Sequence, residues 1–473
     1  MKRDMRLAWR RLFAAAVAAC LAARFAAAEE TALDRYVQRE DPTYSWKIVR
    51  ETPGDAGTQY LIELTSQTWR TEKDVDRPVW KHWLFVVRPK ETASKIGFLF
   101  IGGGANGREA PAGADGRTMA IAQATGSVVA ELRMVPNQPL EFHQDGVKRT
   151  EDDLIAYTWD QFLKTGDETW PARLPMVKSA VRAMDCIQEL TAGKEGGGPA
   201  VEQFVVAGGS KRGWTTWCTA AVDKRVVAAV PIVIDVLNVA ESMVHHAKAY
   251  GFYAEAVGDY MQHKIMQRRD HPRMKDLYAI EDPFSYRERL TMPKYIVNAS
   301  GDQFFCPDSS QFYYDELPEE KLLRYVPNAD HGLGGSDALE SIIAFYWTVL
   351  KGTKRPKYSW TFEADGSIRV STPDQPSQVL LWQANNPKAR DFRVDTIGKA
   401  YTSTPLEEES PGVYVGRIEP PAAGWTAYFV ELAYDVGAPA PLKVSTGVRV
   451  APDRLPYADI DPAAAPYERA RDR

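Results

Sequence analysis

The stretch QFVVAGGSKRGWTTWCTAAVDKRVVAAVPIVID (Gln203–Asp235) decides how this chain folds. An apolar run rich in β-branched residues empties into two glycines and Ser210. A helix-compatible segment follows, and then a second apolar run ends at Asp235. The pattern predicts a buried strand, a tight turn, a helix and another buried strand, the unit from which parallel sheets are built. Ser210 at the turn has two readings. It is either a nucleophile raised on a strand-to-helix turn or the N-cap of an ordinary helix.

Working outward, the same texture recurs. KIGFLFIGGGANG (Lys95–Gly107), GSVVAELRMVP, PKYIVNASGDQFF and LLRYVPNADHGLGG are apolar runs that end in turn residues. Between them TMAIAQATG, EDDLIAYTWDQFLKTG, PMVKSAVRAMDCIQELTAGKEGGG and DALESIIAFYWTVLKG carry apolar residues at helical spacing. Continuous apolar strands alternating with helices predict an α/β fold, a doubly wound and mostly parallel sheet over residues 95–355. A helical insertion is expected at about 236–289, and a strand-like segment over 29–94 should pack on this core. After KRPK the helical period disappears. Short alternating strands from 356 to 455 predict an antiparallel β-sandwich of immunoglobulin-like kind, and residues 456–473 are expected to be a loose tail.

The first 28 residues read as a signal peptide: a basic segment, the apolar LFAAAVAACLAA and a small-residue cleavage site at Ala26–Ala28. The apolar run is too short for a stable membrane span. RRLF (Arg10–Phe13) resembles a twin-arginine signal and VAAC, ending at Cys20, a lipoprotein box. Ordinary cleavage is the expected route, placing the mature chain in the periplasm or outside the cell. Removing the signal leaves Cys186, Cys218 and Cys306, which are read as buried thiols, with one bridge as the alternative. No cysteine or histidine spacing suggests a metal. A net charge of −5 over 473 residues gives no electrostatic case for nucleic-acid binding.

Three residues at strand ends carry the chemistry. Ser210 follows QFVVAGG, Asp302 follows YIVNASG, and His331 follows RYVPNAD. The chain order Ser…Asp…His is that of α/β-hydrolases, whose sites lie at the carboxyl ends of the strands. A serine hydroxyl needs a neutral imidazole to take its proton, and a carboxylate to orient that imidazole. Asp302 is the expected acid, with Asp235 and Asp308 as alternatives. The Lys211 N–H, at a helix start, and the Gly102, Gly103 and Gly104 loop are candidate oxyanion donors. Arg212 stands where G-x-S-x-G has its second glycine, which moves to Gly213. Arg212 and Trp214 are candidate substrate contacts. Equally, Arg212 can turn inward, to pair with an acid or to stack on Trp214 or Trp217. His245 and His246 are read as solvated surface of the insertion.

The chain resembles the PhoPQ-activated pathogenicity-related proteins of bacteria. The likeness runs through YVQREDPTYSWKI, FLFIGGGANG, TGDETWPARLPMVKSAVRAMD, GGSKRGWTTW, VPIVIDVLN, SGDQFFCPDSS, NADHGLGG and LLWQANNPKARDFR. It implies an exported α/β-hydrolase-like protein with a C-terminal β-domain, tied in some members to virulence regulation. The elbow also resembles that of glucuronoyl esterases, where a basic residue follows the serine. The expected activity is that of a serine carboxylesterase, without a cofactor, on a small-molecule or glycan ester, with an acidic group on the substrate as one reading. A serine peptidase, or a non-catalytic binding protein on the same scaffold, is the alternative.

Overall fold

The computed structural model describes residues 30–468, apart from Ala56 and residues 194–197. Residues 1–28, read above as a signal peptide, lie outside them, and Cys20 with them. Its first element is a helix, α1 (Ala32–Gln38), where strand-like structure was expected. The cause is local. Thr31 accepts from the Asp34 N–H while the Asp34 carboxylate accepts from the Thr31 N–H, a reciprocal capping box that starts the helix.

Nine strands then form one sheet. They are β1 (Ser45–Gly54), β2 (Gly57–Thr68), β3 (Val79–Pro89), β4 (Ile96–Ile101), β5 (Val129–Leu132), β8 (Gln203–Gly209), β9 (Val226–Ile232), β10 (Lys294–Ala299) and β11 (Lys321–Val326). A two-stranded ribbon, β6 (Leu140–Glu141) with β7 (Lys148–Arg149), lies between β5 and β8 in the chain. The order across the sheet is β1-β2-β3-β5-β4-β8-β9-β10-β11. β1, β2, β3 and β5 pair antiparallel, and from β5 to β11 every pairing is parallel.

The helices that cover this sheet are α2 (Gly116–Thr125), α3 (Glu151–Thr165), α4 (Arg173–Ala192), α5 (Lys211–Val222) and, after the insertion, α9 (Ala338–Lys351). The insertion itself contributes α6 (Val239–Tyr250), α7 (Gly258–Gln262) and α8 (Met274–Glu281). Alternation along β8 sorts the two faces. Phe204 and Val206 join a core with Leu154, Met176 and Trp214, whereas Val205 and Ala207 join one with Ile121, Ile342 and Phe345. The period of two that buries both faces is the one read from the apolar runs. The chain is thus an α/β-hydrolase-like fold. Its strand order turns around between β4 and β8, and a crevice opens beyond the carboxyl ends of strands at such a point.

Two antiparallel sheets follow. β12 (Ser359–Phe362), β13 (Ile368–Ser371) and β16 (Val413–Gly416) form one. The other contains β14 (Gln378–Asn386), β15 (Thr402–Pro405), β17 (Trp425–Tyr434), β18 (Leu442–Ser445) and β19 (Arg449–Ala451). Ile368 and Val370 of the first sheet, Val430 and Leu432 of the second, and Phe345 of α9 share one buried cluster. Every residue of β17 is buried, because its other face, with Ala427 and Phe429, packs on the α/β core. A short helix, α10 (Val394–Ile397), lies in the connection from β14 to β15. The segment 456–468, expected to be loose, is tied down. The Tyr253 N–H donates to the Pro466 carbonyl, and Arg393 pairs with Glu468 at 2.8 Å. Cys186, Cys218 and Cys306 are free and buried, and burial pushes all three thiols up. Among the described residues no helix is long and apolar enough to cross a membrane.

Candidate active site

Ser210 sits between β8 and α5 at φ 58°, ψ −129°, a conformation that residues with a side chain avoid. Its N–H donates to the Ile232 carbonyl (2.8 Å), and its carbonyl accepts from the Trp214 N–H (3.0 Å) to close the first helical turn. Its hydroxyl makes no capping hydrogen bond to that helix. Ser210 holds the cap position without acting as a cap. Close approach explains the glycines on either side. A Cβ on Gly208 would come within 2.7 Å of the Arg212 carbonyl, and one on Gly213 within 2.8 Å of the Gly208 and Ile232 carbonyls. Gly213, rather than the residue before it, is where α5 rests on the strands, so Arg212 meets no such restriction.

His331 lies on the loop after β11, and Asp302 on the loop after β10. The His331 Nδ1–H donates to Asp302 at 2.8 Å to Oδ2 and 3.0 Å to Oδ1. The Asp302 side chain is 4% exposed, so this pair is shielded from solvent. Phe304 packs its ring against the imidazole at 4.3 Å between centroids, and Gln303 accepts from the His331 N–H. The other ring nitrogen, Nε2, is buried and makes no hydrogen bond. Ser210 and His331 line the same cavity, of about 380 Å³. A second cavity, of about 50 Å³, touches Ser210 and Lys211 from another side.

The alternative acids have other partners. Asp235 accepts hydrogen bonds from the hydroxyls of Tyr313 (2.7 Å) and Tyr325 (2.6 Å). Burial, reinforced by the charges of Asp302 and Asp308, pushes its carboxyl up to about 8. Asp308 pairs with His245 and Arg390. Asp302 alone of the three meets His331.

Arg212 is turned inward. Its guanidinium donates to both oxygens of Glu151 (2.8 and 2.7 Å) and to the Val135 carbonyl (2.5 Å). Lys211 reaches the same Glu151 at 2.8 Å and Asp152 at 3.0 Å. Burial opposes ionisation of Glu151, but Arg212 and Lys211 outweigh it and hold the carboxyl down to about 2. Of its two readings, Arg212 takes the inward one in this structure: it pairs with Glu151 and the Val135 carbonyl and lines neither cavity at Ser210. The same guanidinium fills the space beside Gly103, where a Cβ would lie 2.7 Å from Nη2. In the glycine loop, the Gly102 N–H donates to the Leu132 carbonyl at 2.7 Å, which removes it as an oxyanion donor. Trp214 donates to the Glu281 carbonyl and presents its ring to the smaller cavity.

A family model described as PhoPQ-activated pathogenicity-related protein matches residues 33–393. The chain belongs to this family. A curated relative, autocrine proliferation repressor protein A of Dictyostelium discoideum, is 41% identical over 456 residues, covering 90% of this chain and 92% of that one. Among solved structures, acetyl xylan esterase 1 from Thermoanaerobacterium sp. JW/SL YS485 is similar over 67% of this chain and 92% of its own, with 13% identity and a TM-score of 0.48. A glucuronoyl esterase from Solibacter usitatus is similar over 59% of this chain and 76% of its own, with 14% identity and a TM-score of 0.34.

This family member carries a second histidine–aspartate pair that its sequence did not disclose. His245 and His246, expected on the surface, are 8% and 1% exposed. His246 accepts from the Ala254 N–H, and burial lowers its pKa to about 3. His245 Nε2 meets Asp308 Oδ1 at 3.0 Å, and Arg390 donates to Asp308 Oδ2 at 2.6 Å. Burial of Asp308 works against its charge, but Arg390 and His245 prevail and keep it well below the usual carboxylate range. Ligand atoms of His245, Cys306 and Asp308 lie within 4.8 Å of one another. The guanidinium on Asp308 puts a fixed positive charge where a cation would have to bind. Arg390 and Glu151 have no local signal in the sequence, since their partners are remote along the chain.

Proposed function

We propose that this family member is an exported serine hydrolase acting on carboxylic esters, with Ser210 as nucleophile, His331 as base and Asp302 as the group that orients the base. The observation that carries the reading is the His331–Asp302 hydrogen bond, made by a histidine that lines the same cavity as the strained Ser210 and whose Nε2 has no hydrogen-bond partner.

The chemistry follows from these positions. Asp302 fixes the proton on His331 Nδ1 and leaves Nε2 as the acceptor. Ser210 Oγ attacks the ester carbonyl while its proton passes to Nε2. The negative charge on the former carbonyl oxygen is met by the N–H of Lys211, at the start of α5, with the Gly103 and Gly104 amides as further donors from the β4 loop. As the intermediate collapses, the imidazolium returns its proton to the departing alkoxide. Water then attacks the acyl-serine by the same route and restores the free hydroxyl. No step calls on a metal or an organic cofactor. Nothing in the scheme requires Arg212 at the substrate; with Glu151 it braces the elbow against the glycine loop.

The test is covalent labelling by a fluorophosphonate probe, with ester turnover measured alongside. Labelling and turnover in the wild type, both absent in folded Ser210→Ala, are the expected results. Turnover retained by Ser210→Ala would overturn the assignment.

A further inference from the structure

Two cavities of unequal size meet at Ser210, and their walls differ in which catalytic group they contain. The smaller, about 50 Å³, is walled by Trp159, Trp214, Val236, Met243, Phe304 and Phe305. Its charged members, Asp152 and Lys211, are paired to each other at 3.0 Å. One water needs roughly 10–15 Å³, so this space admits only a few heavy atoms. The larger, about 380 Å³, is lined mainly by apolar side chains, among them Phe98, Phe100, Ile121, Ile232, Leu333 and Ile342, with Thr118 and Ser336 as neutral polar members. Its charged members, Asp115 and Arg117, are likewise paired, at 2.9 Å. His331 belongs to the larger cavity and not to the smaller.

Proton delivery assigns the two arms of an ester to these cavities. The departing alcohol oxygen must lie beside the imidazole that protonates it, so the alcohol belongs on the His331 side. The acyl group stays on Ser210 Oγ beside the Lys211 N–H, and so belongs in the smaller space. Resting on the serine-hydrolase reading above, we propose that the substrate is a short-chain acyl ester of a bulky apolar alcohol. Hydroxyl-rich alcohols fit the larger cavity less well, because apolar side chains make up most of its lining and, apart from Ser210 and His331, only Thr118, Ser336 and the paired Asp115 and Arg117 offer hydrogen bonds to replace lost water. In the reaction the ester C–O bond breaks, the alcohol leaves with the proton from His331 Nε2, and a short acyl-Ser210 forms. Water later releases the short acid.

The experiment uses two substrate series on the mature chain. In the first, p-nitrophenyl acetate, butyrate and octanoate vary the acyl arm at constant leaving group. In the second, 2-(1-naphthyl)ethyl acetate, the naphthyl acetate of the series, and an acetylated xylo-oligosaccharide vary the alcohol at constant acyl arm, both leaving as alkoxides. Acetate is expected to exceed octanoate in kcat/KM by about tenfold or more, and naphthyl acetate to exceed the acetylated sugar by a similar factor. Met243→Ala, which enlarges the acyl space, should raise the octanoate-to-acetate ratio by about tenfold. Octanoate preferred by the wild type, or the acetylated sugar preferred to naphthyl acetate, would overturn this inference while leaving the hydrolase reading intact. A Met243→Ala ratio that does not rise would remove the assignment of the acyl arm. Absence of turnover on every ester would remove both readings together.

Discussion

His331–Asp302 and His245–Asp308 are the same chemical pair, and both aspartates come from the single loop that follows β10. In the first, Asp302 binds one ring nitrogen, the other has no hydrogen-bond partner, and the residue lines the larger cavity with Ser210. In the second, the imidazole and a guanidinium share one carboxylate, and His245 lines neither cavity at Ser210. An imidazole paired with a carboxylate becomes a base only where its second nitrogen can reach a reacting proton. Where an arginine completes the cluster instead, the result is a neutralised buried brace. That brace joins α6 to the connection after β14, next to the loop that positions Asp302.

Removing each histidine breaks the comparison most sharply. His331→Ala should lower ester turnover by about 10⁴–10⁶ with folding intact, as should Ser210→Ala. His245→Ala should leave turnover per folded molecule within about tenfold of wild type and lower the melting temperature instead. Thermal melts beside kcat for the two variants decide the matter, and equal losses of turnover would erase the distinction.

The acids come next. Asp302→Asn is expected to reduce kcat by roughly 10³–10⁴, because the wrong tautomer of His331 is then favoured. Asp235→Asn, whose partners are tyrosines, should do much less. The reverse ranking in steady-state assays would move the acid to Asp235.

Arg390→Ala sharpens the other half of the comparison. It leaves Asp308 buried without its guanidinium, and urea unfolding should show a loss of roughly 3–5 kcal/mol. A variant as stable as wild type would mean that the cluster is no brace. Arg212→Gln is the milder relative of this change at the elbow. It should lower the melting temperature and reduce turnover of neutral and carboxylate-bearing esters alike, by about tenfold at most. Selective loss of the acidic ester would place Arg212 at the substrate after all.

The remaining expected effect is a slope in pH. The Asp235 carboxyl is raised from 3.8 to about 8, so the folded chain holds a proton that the unfolded chain releases. Its contribution to stability is complete below about pH 4 and is lost as pH rises through about 8. Asp235→Asn should therefore flatten the fall in stability between those limits, as read from unfolding curves at several pH values. Identical slopes for both proteins would mean that Asp235 is ionised in the fold.

Local pattern determined a good deal. Apolar runs ending in turn residues located β4, β8, β9, β10 and β11, because strands covered on both faces need apolar side chains at every position. Strand ends also placed Ser210, Asp302 and His331 at one edge of the sheet, since chain order and strand direction suffice for that. Short-range chemistry was legible even where it was missed: the box between Thr31 and Asp34 starts a helix in a stretch that looked like a strand.

Only the tertiary structure decided the partners. Arg212 could have faced substrate or protein, and it took Glu151, 61 residues away along the chain. Among Asp235, Asp302 and Asp308, the contacts of Tyr313, Tyr325, His331 and Arg390 made the choice. Arg390 lies 82 residues from Asp308, and no local spacing announces such a contact. Secondary structure follows from residues a few positions apart, whereas the role of a charged side chain follows from whatever the fold brings within about 3 Å of it.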